Sequence, residues 1–86
     1  MILTLDIGNT NITLGGFADK EPAFVARIST DSSKTADEYA IDIKDVLSLH
    51  GEDVCEIEDC IISSVVPSVG TAVCNAVNGI VTVCSI

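Results

Sequence analysis

Basic residues are scarce and early: four Lys and Arg stand against thirteen Asp and Glu, and none follows Lys44. A chain of net charge −9 repels polyanions, which excludes nucleic-acid binding as a main activity. Any phosphate ligand must then be met by backbone N–H groups and a metal cation in place of a basic patch. Aromatic residues are almost missing, with no Trp, one Tyr and two Phe, although 48% of the chain is hydrophobic. The apolar content is therefore mostly Ile, Val, Leu and Ala, the composition of a sheet covered by helices. No apolar run reaches the roughly 18 residues of a membrane span, and no basic segment precedes the first apolar one as in a secretory signal. The chain reads as soluble and cytoplasmic, with neither membrane nor nucleic acid as a partner.

Histidine is limited to His50, and the cysteines at 55, 60, 74 and 84 include no C-x-x-C pair, which argues against zinc. They are expected as buried, reduced thiols. At 86 residues the chain is at most one domain. Such a chain buries only about 60–65% of the surface its unfolded form exposes, so its stability margin is thin.

Residues 1–7 alternate as a strand, with Leu3, Leu5 and Ile7 on one face and Ile2, Thr4 and Asp6 on the other. Gly8-Asn9 is a hairpin-closing pair, expected as a type II′ turn, and residues 11–17 return as a second strand. Residues 19–22 turn again and 24–29 form a third strand. Thr35 and Glu38 make a capping box for a helix with Ala36, Tyr39, Ala40, Ile43, Val46 and Leu47 on one stripe, stopped by Gly51. The acidic stretch "GEDVCEIED", residues 51–59, reads as a solvated connection. "DCIISSVV", residues 59–66, has the nearly continuous apolar content of a buried strand. Pro67 opens a second helix with Val69, Ala72, Val73, Ala76 and Val77, closed by Asn78-Gly79, and residues 80–85 read as a last strand. The order is βββ-α-β-α-β, an α/β arrangement. A strand placed at the end of the sequence, with nothing to cover it, either pairs with another chain or belongs to a longer protein.

Two readings of "DIGNTN", residues 6–11, stand side by side. One is an ordinary tight turn. The other is a phosphate grip. A glycine admits close approach of the backbone, successive N–H groups and the Asn and Thr side chains donate to phosphate oxygens, and Asp6 holds Mg²⁺ through water. Asp6 ends an apolar strand on a face expected to be partly buried, and a carboxylate there needs a metal, a ligand or donors. Ser63 and Ser64 end the strand near where α/β folds bind ligands, or cap the following helix. Tyr39 reads as a core residue of the capped helix, and His50 as a decoration of the helix C-terminus.

"LDIGNTNITLGGF", "RISTD", "TADEYA" and "IISSVVPSV", taken in order and spacing, resemble the N-terminal part of type III pantothenate kinases, relatives of actin, Hsp70 and sugar kinases. The resemblance covers essentially the whole chain. It implies a ribonuclease-H-like, actin-like ATPase domain, here the incomplete first copy of a duplicated fold, with residues 1–86 as its ATP-phosphate-binding part. It implies ATP-dependent phosphorylation of pantothenate to 4′-phosphopantothenate, the first step of coenzyme A biosynthesis. The family's first phosphate motif maps onto Asp6, Ile7, Gly8, Asn9, Thr10, Asn11, Ile12 and Thr13, with Asp6 as the Mg²⁺-linked carboxylate. Mg²⁺ with ATP, a K⁺ or NH₄⁺ ion bound by later segments, and a homodimer are implied as well, and the resemblance adds a second reading of "TADEYA" as a contributor to the family's substrate site or dimer interface. The family's Gly-x-Asp-Arg stretch, which carries the general base, is missing from these residues. "GED" at 51–53 lacks the Arg, so Asp53 is not assigned that role and no residue is expected as catalytic base. The fragment is expected to be inactive alone. Two alternatives remain: a non-catalytic homologue acting as a transcription accessory or interaction module through an exposed sheet edge, and another kinase of the same superfamily.

Overall fold

Strict alternation makes β1 (Ile2–Ile7), whose Leu3, Leu5 and Ile7 are at most 2% exposed while Asp6 faces solvent. The computed structural model of the chain describes residues 1–19 and 21–84, with residues 81–84 as backbone only. β2 (Asn11–Ala18) pairs antiparallel with β1, setting Leu14 beside Leu5 and Ile12 beside Ile7, so like faces coincide across the hairpin. β3 (Glu21–Ser29) continues the meander after Asp19, which adopts φ 52°; Lys20, part of the expected turn, lies outside the described residues. β3 begins earlier than residue 24 because it is an edge strand, where Pro22 loses no ladder bond, and a register shift at Gly16/Phe17 absorbs the extra residue. Gly16 is there for space: a Cβ would run into the Phe24 ring and stand 2.9 Å from the Met1 sulfur.

The expected capping box forms at the start of α1 (Ala36–Leu49), with Glu38 N–H donating to Thr35 Oγ1 at 3.2 Å and Thr35 N–H to the Glu38 carboxylate at 3.1 Å. Its stripe puts Tyr39, Ile43 and Leu47 in the core. Gly51, at φ 74°, ends it: Gly51 N–H reaches Ser48 O at 3.1 Å and Glu52 N–H reaches Leu47 O at 2.8 Å, the paired bonds of a Schellman stop. His50 caps the helix and stacks on Phe24 with ring centroids 5.1 Å apart. The acidic connection holds a short 3₁₀ turn, Val54–Glu56, capped by Asp53, whose carboxylate accepts from Cys55 N–H at 3.0 Å.

β4 (Asp59–Ser64) pairs parallel with β1, giving the order β3-β2-β1-β4. The helices α1 and α2 (Pro67–Cys84) both pack on the Leu3-Leu5-Ile7 face. The opposite face is open among the described residues. Ile2, Phe17, Val25 and Ile61, all 36% or more exposed, lie on it. β4 is therefore not the fully buried strand its apolar run suggested: it forms an edge with one face uncovered, and Ile61 is 60% exposed.

The last expected strand is overturned. Residues 80–84 continue α2, and Ser85 lies outside the described residues. Asn-Gly stops a helix when the glycine turns left-handed, and Gly79 keeps a negative φ with open space at its Cβ position. The apolar spacing of Val69, Val73, Ala76 and Val77 runs on to Ile80, which packs against the core. The observed order is thus βββ-α-β-α. The cysteines also depart from expectation: Cys74 is exposed, Cys60 half-buried, and Cys55 exposed and disulfide-bonded. Cys60 stands beside Leu3 on the helix-covered face and packs against the core, whereas the Cys84 side chain lies outside the described residues.

The burial pattern sets an expected contrast in urea unfolding. Leu5→Ala is expected to cost about 2–5 kcal/mol and Val25→Ala no more than about 0.5 kcal/mol. Equal losses would mean that the open face is covered in solution.

Candidate functional site

β1 delivers Asp6 to the open face because its neighbours Leu5 and Ile7 are fixed in the core. On either side of it in the sheet stand Thr13 of β2 and Ser63 of β4, and Arg27 follows beyond Thr13. This row of polar side chains, three bearing oxygen and one a guanidinium, crosses the sheet at the end where the β1–β2 hairpin turns. Asp6 is exposed, not half-buried as expected, because no element among the described residues covers this face, so desolvation does not force a partner on it. Its carboxylate makes no hydrogen bond or ion pair with any described residue.

The hairpin closes through Gly8 N–H to Asn11 O at 2.9 Å, which makes Asn9 and Thr10 the tip residues. Neither has a positive φ, and neither does Gly8, so the expected type II′ turn at Gly8-Asn9 is not formed. The tip is instead held from outside. Thr30, just past β3, donates its N–H to Thr10 O at 2.9 Å and its hydroxyl to Gly8 O at 2.8 Å. Gly8 is tight as well: a Cβ would stand 3.3 Å from Asn11 O.

The carbonyls of Gly8, Thr10 and Asn11 are thereby consumed, whereas the N–H groups of Asn9 and Thr10 have no protein acceptor among the described residues. Free donors beside a free carboxylate form a surface suited to an anion carrying a metal ion. Of the eight residues singled out in the sequence, Asp6, Gly8, Asn9, Thr10, Asn11 and Thr13 reach this surface. Ile7 and Ile12 are fully buried, so only their main chain could contribute, and Ile7 O already accepts from Val65 N–H at 3.1 Å.

Other reactive groups lie elsewhere. No cluster of His, Cys, Asp and Glu suited to a metal occurs among the described residues. Ser64 organises the turn into α2, its hydroxyl donating to Val66 O and accepting from Val66 N–H. Burial pushes the Cys60 thiol up to about 11, with Cys74 and Asp59 adding to the shift, so it is not a nucleophile at neutral pH. The hollow lined by Ile57, Asp59, Cys60 and Val77 sits at the opposite end of β4 from the hairpin tip.

Sequence reasoning missed the brace. Tyr39, fully buried, donates its hydroxyl to Asp31 O at 2.6 Å and accepts from Asp31 N–H at 3.0 Å, fixing the segment that follows Thr30. The available signal was register: pairing Asn11 with Ser29 brings Thr30 opposite Thr10.

An α/β sheet with a polar hairpin at the end of its central strands and both helices on one face is consistent with the N-terminal portion of an actin-like ATPase fold. The type III pantothenate kinase family model matches residues 2–85. A type III pantothenate kinase from Finegoldia magna is 44% identical over 77 residues, which cover 90% of this chain and 29% of that protein. The chain belongs to the type III pantothenate kinase family and spans under a third of the length of this relative. No helix among the described residues is long and apolar enough to cross a membrane.

Proposed function

We propose that this chain is the nucleotide-phosphate portion of a kinase that transfers a phosphoryl group from ATP to pantothenate, forming 4′-phosphopantothenate on the way to coenzyme A. Family membership supplies the reaction class. The observation that carries the assignment to these residues is the hairpin tip, where the free N–H groups of Asn9 and Thr10 stand close in sequence to an unpaired Asp6 carboxylate. A solitary carboxylate flanked by Thr13 and Ser63 suits Mg²⁺, which keeps most of its waters and takes few protein ligands beside phosphate oxygens. Bound there with ATP, the ion would neutralise phosphate charge against a chain of net charge −9. Asp6 would hold it, and Gly8 to Asn11 would hold the phosphates.

In this reading the general base, the pantothenate site and the monovalent cation site, for K⁺ or NH₄⁺, lie in parts of the kinase that these residues do not include. The working enzyme is a cytoplasmic homodimer. The alternative, a non-catalytic module that pairs through an exposed sheet edge, would have to use β3 or β4, since residues 80–84 are helical and form no terminal strand.

The 86-residue chain is expected to give no pantothenate-dependent ADP release, and turnover above background would contradict the absence of a base. For Asp6→Asn in the same chain, calorimetric titration with Mg-ATP is expected to show at least a roughly tenfold loss of affinity with an unchanged melting temperature. Equal affinity would remove Asp6 from the site.

A further inference from the structure

Among the described residues Thr30 makes both hydrogen bonds that tie the hairpin tip to the segment after β3, and it makes them to carbonyls. Its hydroxyl takes Gly8 O at 2.8 Å and its N–H takes Thr10 O at 2.9 Å. Gly8 O belongs to the peptide that carries the Asn9 N–H, so its bond to Thr30 fixes that peptide with the donor facing away from Thr30, and the bond to Thr10 O holds the far side of the tip, leaving the Thr10 N–H between two fixed peptides. Thr30 is itself anchored. The next residue, Asp31, is clamped through its main chain to the buried Tyr39 hydroxyl, and its carboxylate accepts from Ser33 N–H at 2.9 Å and Ser33 Oγ at 2.6 Å. Those Ser33 bonds hold the Asp31 carboxyl below the usual carboxylate range. A connected path thus runs from the core of α1, through Tyr39 and Asp31, to Thr30 and the tip.

We infer that Thr30 is a positioning residue for the phosphate-holding hairpin: it touches no phosphate, and it fixes the peptides of Gly8 to Thr10 in the orientation that leaves their donors free. The inference rests on the phosphate reading given above. It also accounts for a turn that lacks the positive φ of self-closing two-residue hairpins, because a turn held from outside does not need that geometry. Removing the hydroxyl would leave Gly8 O free to turn toward the anion and repel it, which costs affinity where a merely structural contact would not.

The test compares the wild-type chain with Thr30→Val, which keeps the β-branch and loses the donor, and Thr30→Ser, which restores it. Calorimetry with Mg-ATP reads affinity, and amide hydrogen exchange at Gly8 reads closure of the hairpin. Thr30→Val is expected to bind about five- to tenfold more weakly and to exchange Gly8 faster, while Thr30→Ser stays within about twofold of wild type. Should Thr30→Val fail to fold, Tyr39→Phe, which breaks the next link, is expected to weaken binding in the same direction by a smaller factor. Faster exchange with unchanged affinity, or no change in either, overturns the inference while leaving the phosphate reading standing. A wild-type chain whose binding of Mg-ATP cannot be detected overturns both.

Discussion

The position of β1 at the centre of the sheet governs everything else in this molecule. It is paired antiparallel with β2 on one side and parallel with β4 on the other, so both registers are fixed at once. Because successive side chains point to opposite faces, burying Leu3, Leu5 and Ile7 under two helices obliges Asp6 to stand on the open face. A slip of one residue would place the carboxylate in the core and a leucine at the surface, a change too costly for so small a core to tolerate. The site is thus a consequence of core packing. The same register brings Thr13 and Ser63 beside Asp6.

This coupling shows why some features were legible in the sequence. The side to which Asp6 points follows from alternation alone, and so does the burial of its neighbours. The ends of α1 were readable because their chemistry is local: Thr35 and Glu38 meet across a single turn, and Gly51 takes a backbone angle that disfavours other residues. The candidate phosphate residues fall on one short segment, which made them visible as a group.

What could not be read depends on contacts distant in sequence. The hairpin tip was taken to close by its own turn chemistry, yet Thr30, 22 residues from Gly8, holds it. β4 looked like an interior strand because its composition does not reveal which faces other elements cover. Asn78-Gly79 resembled a helix stop, but α2 rests its apolar stripe on the sheet through Ile80, and that packing outweighs the weak helix propensity of glycine. In each case tertiary context overrode a local signal that was real in itself.

The proposed grip for Mg²⁺-bound phosphate, formed by the free N–H groups at Asn9 and Thr10 together with Asp6, is tested by an amide ¹⁵N–¹H titration of the chain with Mg-ATP. Such a grip requires the largest shifts at Asn9 and Thr10, followed by the rest of residues 6–13, and their loss when Mg²⁺ is chelated. Shifts centred instead on residues 57–60 and 77, around the hollow at the far end of β4, would contradict it.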